Sequence, residues 1–176
     1  MRRFLILVPV FLTVILACRI PSLPASLPTE PIQPTPTKIN AAVELTVYFT
    51  DMPRYQIGTE PYEASVLRTI PLPASLPEAV LAQLFLGPSG AEKARGLAVV
   101  LSGTTGFSQL TISDGIARIY LTGMCNSKGA TYTIANLIFA NLKQFPEIQW
   151  VKIYDQNGET ESPDGQRDSI PFCLEP

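Results

Sequence analysis

From Leu45 to Phe49 apolar residues alternate with polar or amphipathic ones, which predicts a first strand, stopped by Asp51-Met52-Pro53. A second strand is expected over Ala64 to Ile70, ended by Pro71 and Pro73. Ser75-Leu76-Pro77-Glu78 has the residues of a capping box, with Pro77 in a first turn that has no use for its missing N–H. Behind it Leu76, Val80, Leu81, Leu84 and Phe85 share one helical face, and Gly87-Pro88 stops the helix. Ser89 and Glu92 repeat the capping spacing, so a short helical turn runs on towards Gly96. Gln109 to Leu121 reads as a hairpin turning at Asp114-Gly115. Its register sets Ile112 opposite Ala117 and Leu110 opposite Ile119 on one face, with Thr111 opposite Arg118 and Gln109 opposite Tyr120 on the other.

A further helix is predicted over Thr131 to Phe145, with Ile134, Leu137, Ile138, Leu142 and Phe145 on its apolar stripe and Asn136, Asn141 and Lys143 away from it. Trp150 to Tyr154 is the last strand, turned by Asn157-Gly158. The expected class is α+β: a small mixed or antiparallel sheet with two helices packed on one face, in the order β-β-α-β-β-α-β.

The N-terminus follows a different pattern. Met1-Arg2-Arg3 precedes an apolar run from Phe4 to Leu16 that is short for a membrane span and suited to a signal peptide. It leads into Ile15-Leu16-Ala17-Cys18, which resembles the bacterial lipobox, so residues 1–17 are expected to be removed and Cys18 to be acylated. Prolines at 21, 24, 28, 31, 34 and 36 then mark an extended tether over residues 18–42. The expected organisation is completed by a folded domain at 43–155 and an acidic extension at 156–176. The extension carries Glu159, Glu161, Asp164, Asp168 and Glu175 against the single Arg167.

Composition narrows the chemistry. The 176 residues include no histidine, which excludes Ser-His-Asp and Cys-His catalysis and any His-ligated zinc. With 13 basic and 15 acidic residues there is no basic footprint for nucleic acid. No catalytic residue, metal ligand or cofactor is expected.

Six motifs follow one another along the domain: Val47-Tyr48-Phe49, Arg68-x-Ile70-Pro71, Leu81-x-x-Leu84-Phe85-Leu86-Gly87-Pro88 and Glu92-x-x-x-Gly96-Leu97, then Asp114-Gly115-x-Ala117-x-Ile119-x-Leu121 and Gln144-Phe145-Pro146-Glu147-x-x-x-Val151. In these the domain resembles a known family, the GerMN domain of bacterial envelope lipoproteins, first described in a spore-germination protein. The resemblance covers roughly residues 45–155. It implies a fold like the ring-building domains of secretion and sporulation machines, a place on the outer face of the cytoplasmic membrane, and an assembly or binding role with no established catalytic residues. Sporulation members carry two copies of the domain; this chain has one.

With Cys18 assigned to the lipid, Cys125 and Cys173 remain as an even pair in a chain expected to be exported. If paired, they close a loop of about 49 residues, worth roughly 4 kcal/mol by the chain-entropy relation. The alternative is two free thiols. Weaker candidates are Asp155-x-Asn157-x-Glu159 as the start of a calcium loop, Ser127-Lys128 as a nucleophile and base, an acid pair such as Asp51 with Asp114, and Tyr120, Trp150 and Tyr154 as a ligand groove. Each has a plainer reading as turn, solvated surface or sheet packing. The expected function is therefore a membrane-anchored, extracytoplasmic, non-catalytic module that binds an envelope protein. The alternative is a ligand-binding lipoprotein that recognises cell-wall glycan or a small solute.

Overall fold

The computed structural model describes residues 41–176. The signal segment, the lipidation site at Cys18 and the proline-rich tether up to residue 40 lie outside the described residues. The fold is α+β, and its strands divide into two three-stranded sheets where a single sheet is expected.

In the first sheet β1 (Ala42–Asp51) pairs antiparallel with β2 (Glu63–Pro71), setting Val47 opposite Val66 and Leu45 opposite Arg68. Asp51 ends β1 as foreseen, and its side chain accepts from the Arg54 N–H to cap a short helix, α1 (Met52–Gln56), absent from the sequence-based expectation. Pro53 sits in the first turn of that helix, so the residues read as a strand terminator also start a helix. Helix α2 (Leu76–Leu86) begins at Ser75, whose hydroxyl accepts from the Glu78 N–H, but no bond from the Glu78 side chain returns. Helix α3 (Gly90–Ala94) has the complete box: the Ser89 hydroxyl accepts from Glu92 N–H and the Glu92 carboxylate accepts from Ser89 N–H. A two-residue strand, β3 (Leu97–Ala98), then pairs with Thr50 and Asp51 of β1.

The second sheet follows the predicted register closely. β4 (Thr104–Ser113) and β5 (Ile116–Gly123) form the hairpin with Ile112 opposite Ala117, Leu110 opposite Ile119, Thr111 opposite Arg118 and Gln109 opposite Tyr120. Helix α4 (Ile134–Leu142) crosses over to β6 (Trp150–Tyr154), which lies parallel to β5. Helices α2 and α4 pack on each other and on β1, while α2 also reaches β4 and α4 reaches β6. The core that joins the two sheets is built from Phe49, Leu81, Leu84, Ile119, Leu137, Ile138, Leu142, Val151 and Ile153.

Why there are two sheets is visible at the β3 side of β1. Where β3 stops, α4 takes over the pairing: Asn141 accepts from Tyr48 N–H at 3.0 Å and donates to the Tyr48 carbonyl at 2.9 Å, and Gln144 donates to the Thr46 carbonyl at 3.1 Å. Two amide side chains thus occupy the place of a strand. Asn141 is fully buried, contrary to the expectation that it lies off the apolar stripe. Its amide satisfies both backbone groups that burial would otherwise orphan. Replacing Asn141 by leucine is expected to lower unfolding stability by about 2–4 kcal/mol, because it strands a buried N–H and a buried C=O. Urea denaturation measures this, and a loss under about 0.5 kcal/mol, the range of ordinary surface substitutions, would show that Asn141 is not what holds the edge.

Residues 156–176 fold back onto the domain. Ser169 bridges β6 in parallel, its N–H donating to the Val151 carbonyl and its carbonyl accepting from Ile153 N–H. Leu174, in a single 3₁₀ turn (Phe172–Leu174), is buried in the core. The acidic segment is therefore an integral layer of the fold over part of its length.

Candidate functional site

Several residues of the family pattern meet in one knot. The Arg68 guanidinium, held on β2, bonds the Glu92 carboxylate at 2.6 Å, the Gly87 carbonyl at 2.9 Å and the Gln83 side-chain oxygen at 2.9 Å, and lies 5.0 Å from the centre of the Phe49 ring. Burial alone would raise the Glu92 carboxyl, but the Arg68 bond, Ser89 and the Arg68 charge outweigh it and hold the group below its ordinary value. Gly96 belongs to the same corner: its φ is +88°, and a Cβ there would come within 2.7 Å of the Pro53 ring. These positions tie β2, α2 and α3 together. Their role is architectural.

Cys125 and Cys173 are joined as a disulfide, with Cα atoms 5.6 Å apart. Around it the loop after β5 is bound to the chain's last turn: Ser127 N–H donates to the Cys173 carbonyl at 2.7 Å and the Ser127 hydroxyl donates to the Glu175 carbonyl. The Ser127 oxygen also accepts from Gly129 N–H, and Lys128 is exposed at a φ of +52° in the same turn. Ser127-Lys128 is thus a structural turn.

The remaining sequence candidates are likewise taken up by the fold. Asp155 accepts from Asn157 N–H at 2.8 Å and Glu159 N–H at 2.9 Å, so the oxygen a calcium ion would need closes its own loop. Among the described residues no group of three acidic or sulfur ligands is placed to hold a metal. Asp51 caps α1 and Asp114 stands exposed at the hairpin tip. Tyr120 and Tyr154 stack at 4.6 Å, flanking the register position where Arg118 faces Lys152. Lys152 is fully buried, and its ammonium donates to the carbonyls of Ser162 at 2.6 Å and Asp164 at 3.0 Å. Burial, with Arg167 and Arg118 nearby, lowers its pKa against the opposing pull of Asp164 and Asp168. It fastens the 160–168 loop over β6.

Two surface features were not anticipated. The first is a polar cleft of about 630 Å³, lined by Glu60, Tyr62, Glu63, Thr131, Tyr132 and Asn136. Of its lining, Tyr62 and Tyr132 form a triangle of rings with Tyr55, the centroids 5.3 to 5.4 Å apart. Tyr132 is 5% exposed, and burial pushes its hydroxyl well above the usual range, with the Thr50 bond acting against this and the Glu63 charge adding to it. The cleft forms from the α1–β2 connection and the β5–α4 loop, which no local pattern relates.

The second is the outer face of α2. Glu78 and Gln83 are the only polar side chains in Leu76–Leu86, and Gln83 is engaged by Arg68. The exposed positions are Leu76, Glu78, Ala82 and Leu86, the last 75% exposed, with Ala79 half-buried among them, so Glu78 is the only charge on this face. Leu72 and Leu101 are exposed as well. This signal was present in the sequence, since a surface helix with a single charged residue has apolar positions beyond the stripe that faces the core.

Comparison with known proteins follows the same lines. Residues 46–162 match the family model Germane, described as sporulation and spore germination. Two solved structures are similar: the tandem GerMN domains of the sporulation protein GerM from Bacillus subtilis and the first GerMN domain of that protein. The tandem structure has 22% identity and a TM-score of 0.47, covering 77% of this chain and 49% of that one, so this chain spans about half its length. The single domain has 22% identity and a TM-score of 0.41, covering 76% of this chain and 97% of that one. No curated protein matches. The family match extends over well more than half of the sequence and takes in every residue of the Arg68 knot, and the chain belongs to the Germane, or GerMN, family of sporulation and spore germination.

Proposed function

We propose that this GerMN domain is a non-catalytic protein-interaction or assembly module, held by a lipid on Cys18 at the extracytoplasmic face of the cell membrane. The observation that carries the reading is the outer face of α2, where an exposed leucine and two alanines accompany Glu78, the one charged residue of the helix. The signal-like N-terminus and the tether support the anchor, and the engagement of Asp51, Ser127 and Asp155 in structural bonds supports a role without chemistry.

A photo-crosslinking residue at position 86 of the full chain in membranes is expected to yield protein adducts that the same residue at Asp114 does not. Mass spectrometry of that preparation is expected to find a chain beginning at acylated Cys18. A chain with an unmodified first residue would refute the anchor. The cleft at Tyr62 and Tyr132 favours a second reading, recognition of wall glycan or a small solute through aromatic faces, two carboxylates and an amide. Absence of adducts at position 86, together with saturable binding of a glycan fragment abolished by Tyr62→Ala, would decide for that reading.

A further inference from the structure

We propose that the outer face of α2 is the contact surface of a twofold-symmetric pair, so that its occupant is a second copy of this chain. The inference rests on the interaction reading above and names its partner.

The face carries both halves of a fit. Ser75, Ala79, Ala82 and Leu86 follow one another at spacings of four, three and four, and so lie along one line of the helix. At the C-terminal end of this line Leu86 projects, 75% exposed, beside Pro88 and Lys93. At the N-terminal end is a shallow, largely apolar groove of about 220 Å³, lined by Pro73, Ala74, Ser75, Glu78, Ala79 and Ala82. A twofold axis passing just outside Ala82, between the two helices and perpendicular to both, exchanges each level of the helix with the one equally far on the other side. Leu86 stands four residues from that axis, about 6 Å along the helix, and so does Glu78. The operation therefore lays Leu86 of each copy into the groove of the other. Alanine at 79 and 82 lets the two helices approach closely.

Charge agrees with shape. Glu78 is the only charged residue lining the groove, and Lys93 is the only charged residue lining the hollow beside Leu86. The same rotation sets the C-terminal end of one helix, with Lys93 in the hollow beside it, against the N-terminal end of the other, which carries Glu78, so that opposite charges are brought to the same side of the contact twice. A different protein would have to supply a groove, a projecting apolar side chain and a matching pair of charges; a second copy already has all of them. A single helix pair buries less than the roughly 1,200 Å² of a stable interface, so the association is weak in dilute solution and is read best by trapping.

The test uses the full chain in detergent or membranes, with Ala82→Cys introduced beside the proposed axis. Mild oxidation and non-reducing electrophoresis are expected to show covalent dimer about tenfold above both wild type and a Thr111→Cys control on exposed β4. Adding Leu86→Glu is expected to reduce the dimer about tenfold. Glu78→Lys is expected to reduce it as well, and Lys93→Glu in the same chain to restore it. Dimer no higher than in the controls, or unaffected by Leu86→Glu, overturns the proposal. Trapping of a different protein through position 82 also overturns the second-copy assignment but leaves the interaction reading standing, whereas an inert position 82 together with no adducts at position 86 removes both.

Discussion

Replacing Arg68 with methionine is expected to destabilise the domain by about 3–5 kcal/mol, because Glu92 is left as a buried carboxylate without its cation. The pair is enclosed, the side chains being 14% and 12% exposed, and Arg68 also satisfies the carbonyl of Gly87 and the amide of Gln83. Glu92→Gln should cost less, since the amide oxygen can still accept from Ser89 N–H. Combining Arg68→Met with Glu92→Leu should destabilise by clearly less than the sum of the single changes, for the double change removes the orphaned charge. Additive effects in urea denaturation would show that the two residues act independently. The pH dependence has a definite sign. Glu92 is held below its ordinary value of 4.5, so the folded state favours its ionised form. Its contribution is complete above pH 4.5 and is lost as pH falls below that value towards the folded-state pKa. Glu92→Gln should remove this part of the acid sensitivity.

Reducing the Cys125–Cys173 bond, or changing both cysteines to serine, is expected to lower stability by about 4 kcal/mol on the chain-entropy relation for a loop of this size. The bond encloses α4, β6 and the returning segment, so what it holds together is the second half of the core. Hydrogen exchange should reveal a graded response. The 171–175 turn, held to the loop by Ser127, should lose protection first, and β5 and β6 should lose it only on global unfolding. A reduced protein with unchanged urea midpoint and unchanged exchange at Leu174 would show that the Ser127 bonds and the burial of Leu174 suffice.

What could be read from the sequence is what is local. The hairpin register follows from Asp114-Gly115 and period-two alternation, and all four predicted pairs stand opposite each other. The starts of α2 and α3 follow from Ser75 and Ser89. Asn141 could not be assigned this way, because its reason for being buried, the backbone of Tyr48, lies 93 positions earlier in the chain. The division into two sheets has the same origin: strand count says nothing about an edge that a side-chain amide closes. The cleft joins Tyr62 to Tyr132 across the fold and has no local signature. The outer face of α2 was legible as well: beyond the stripe of Leu81, Leu84 and Phe85 the helix carries Glu78 as its only charge.

The amides of Asn141 and Gln144 have a further consequence for how the first sheet can grow. Side chains that take up the Tyr48 N–H and C=O and the Thr46 C=O of β1 deny the middle of that flank to an incoming strand, so extension there is hindered. β2 is the terminal strand on the opposite flank. Growth of this sheet by strand addition is therefore biased towards the β2 flank, and that bias is set by two amide side chains.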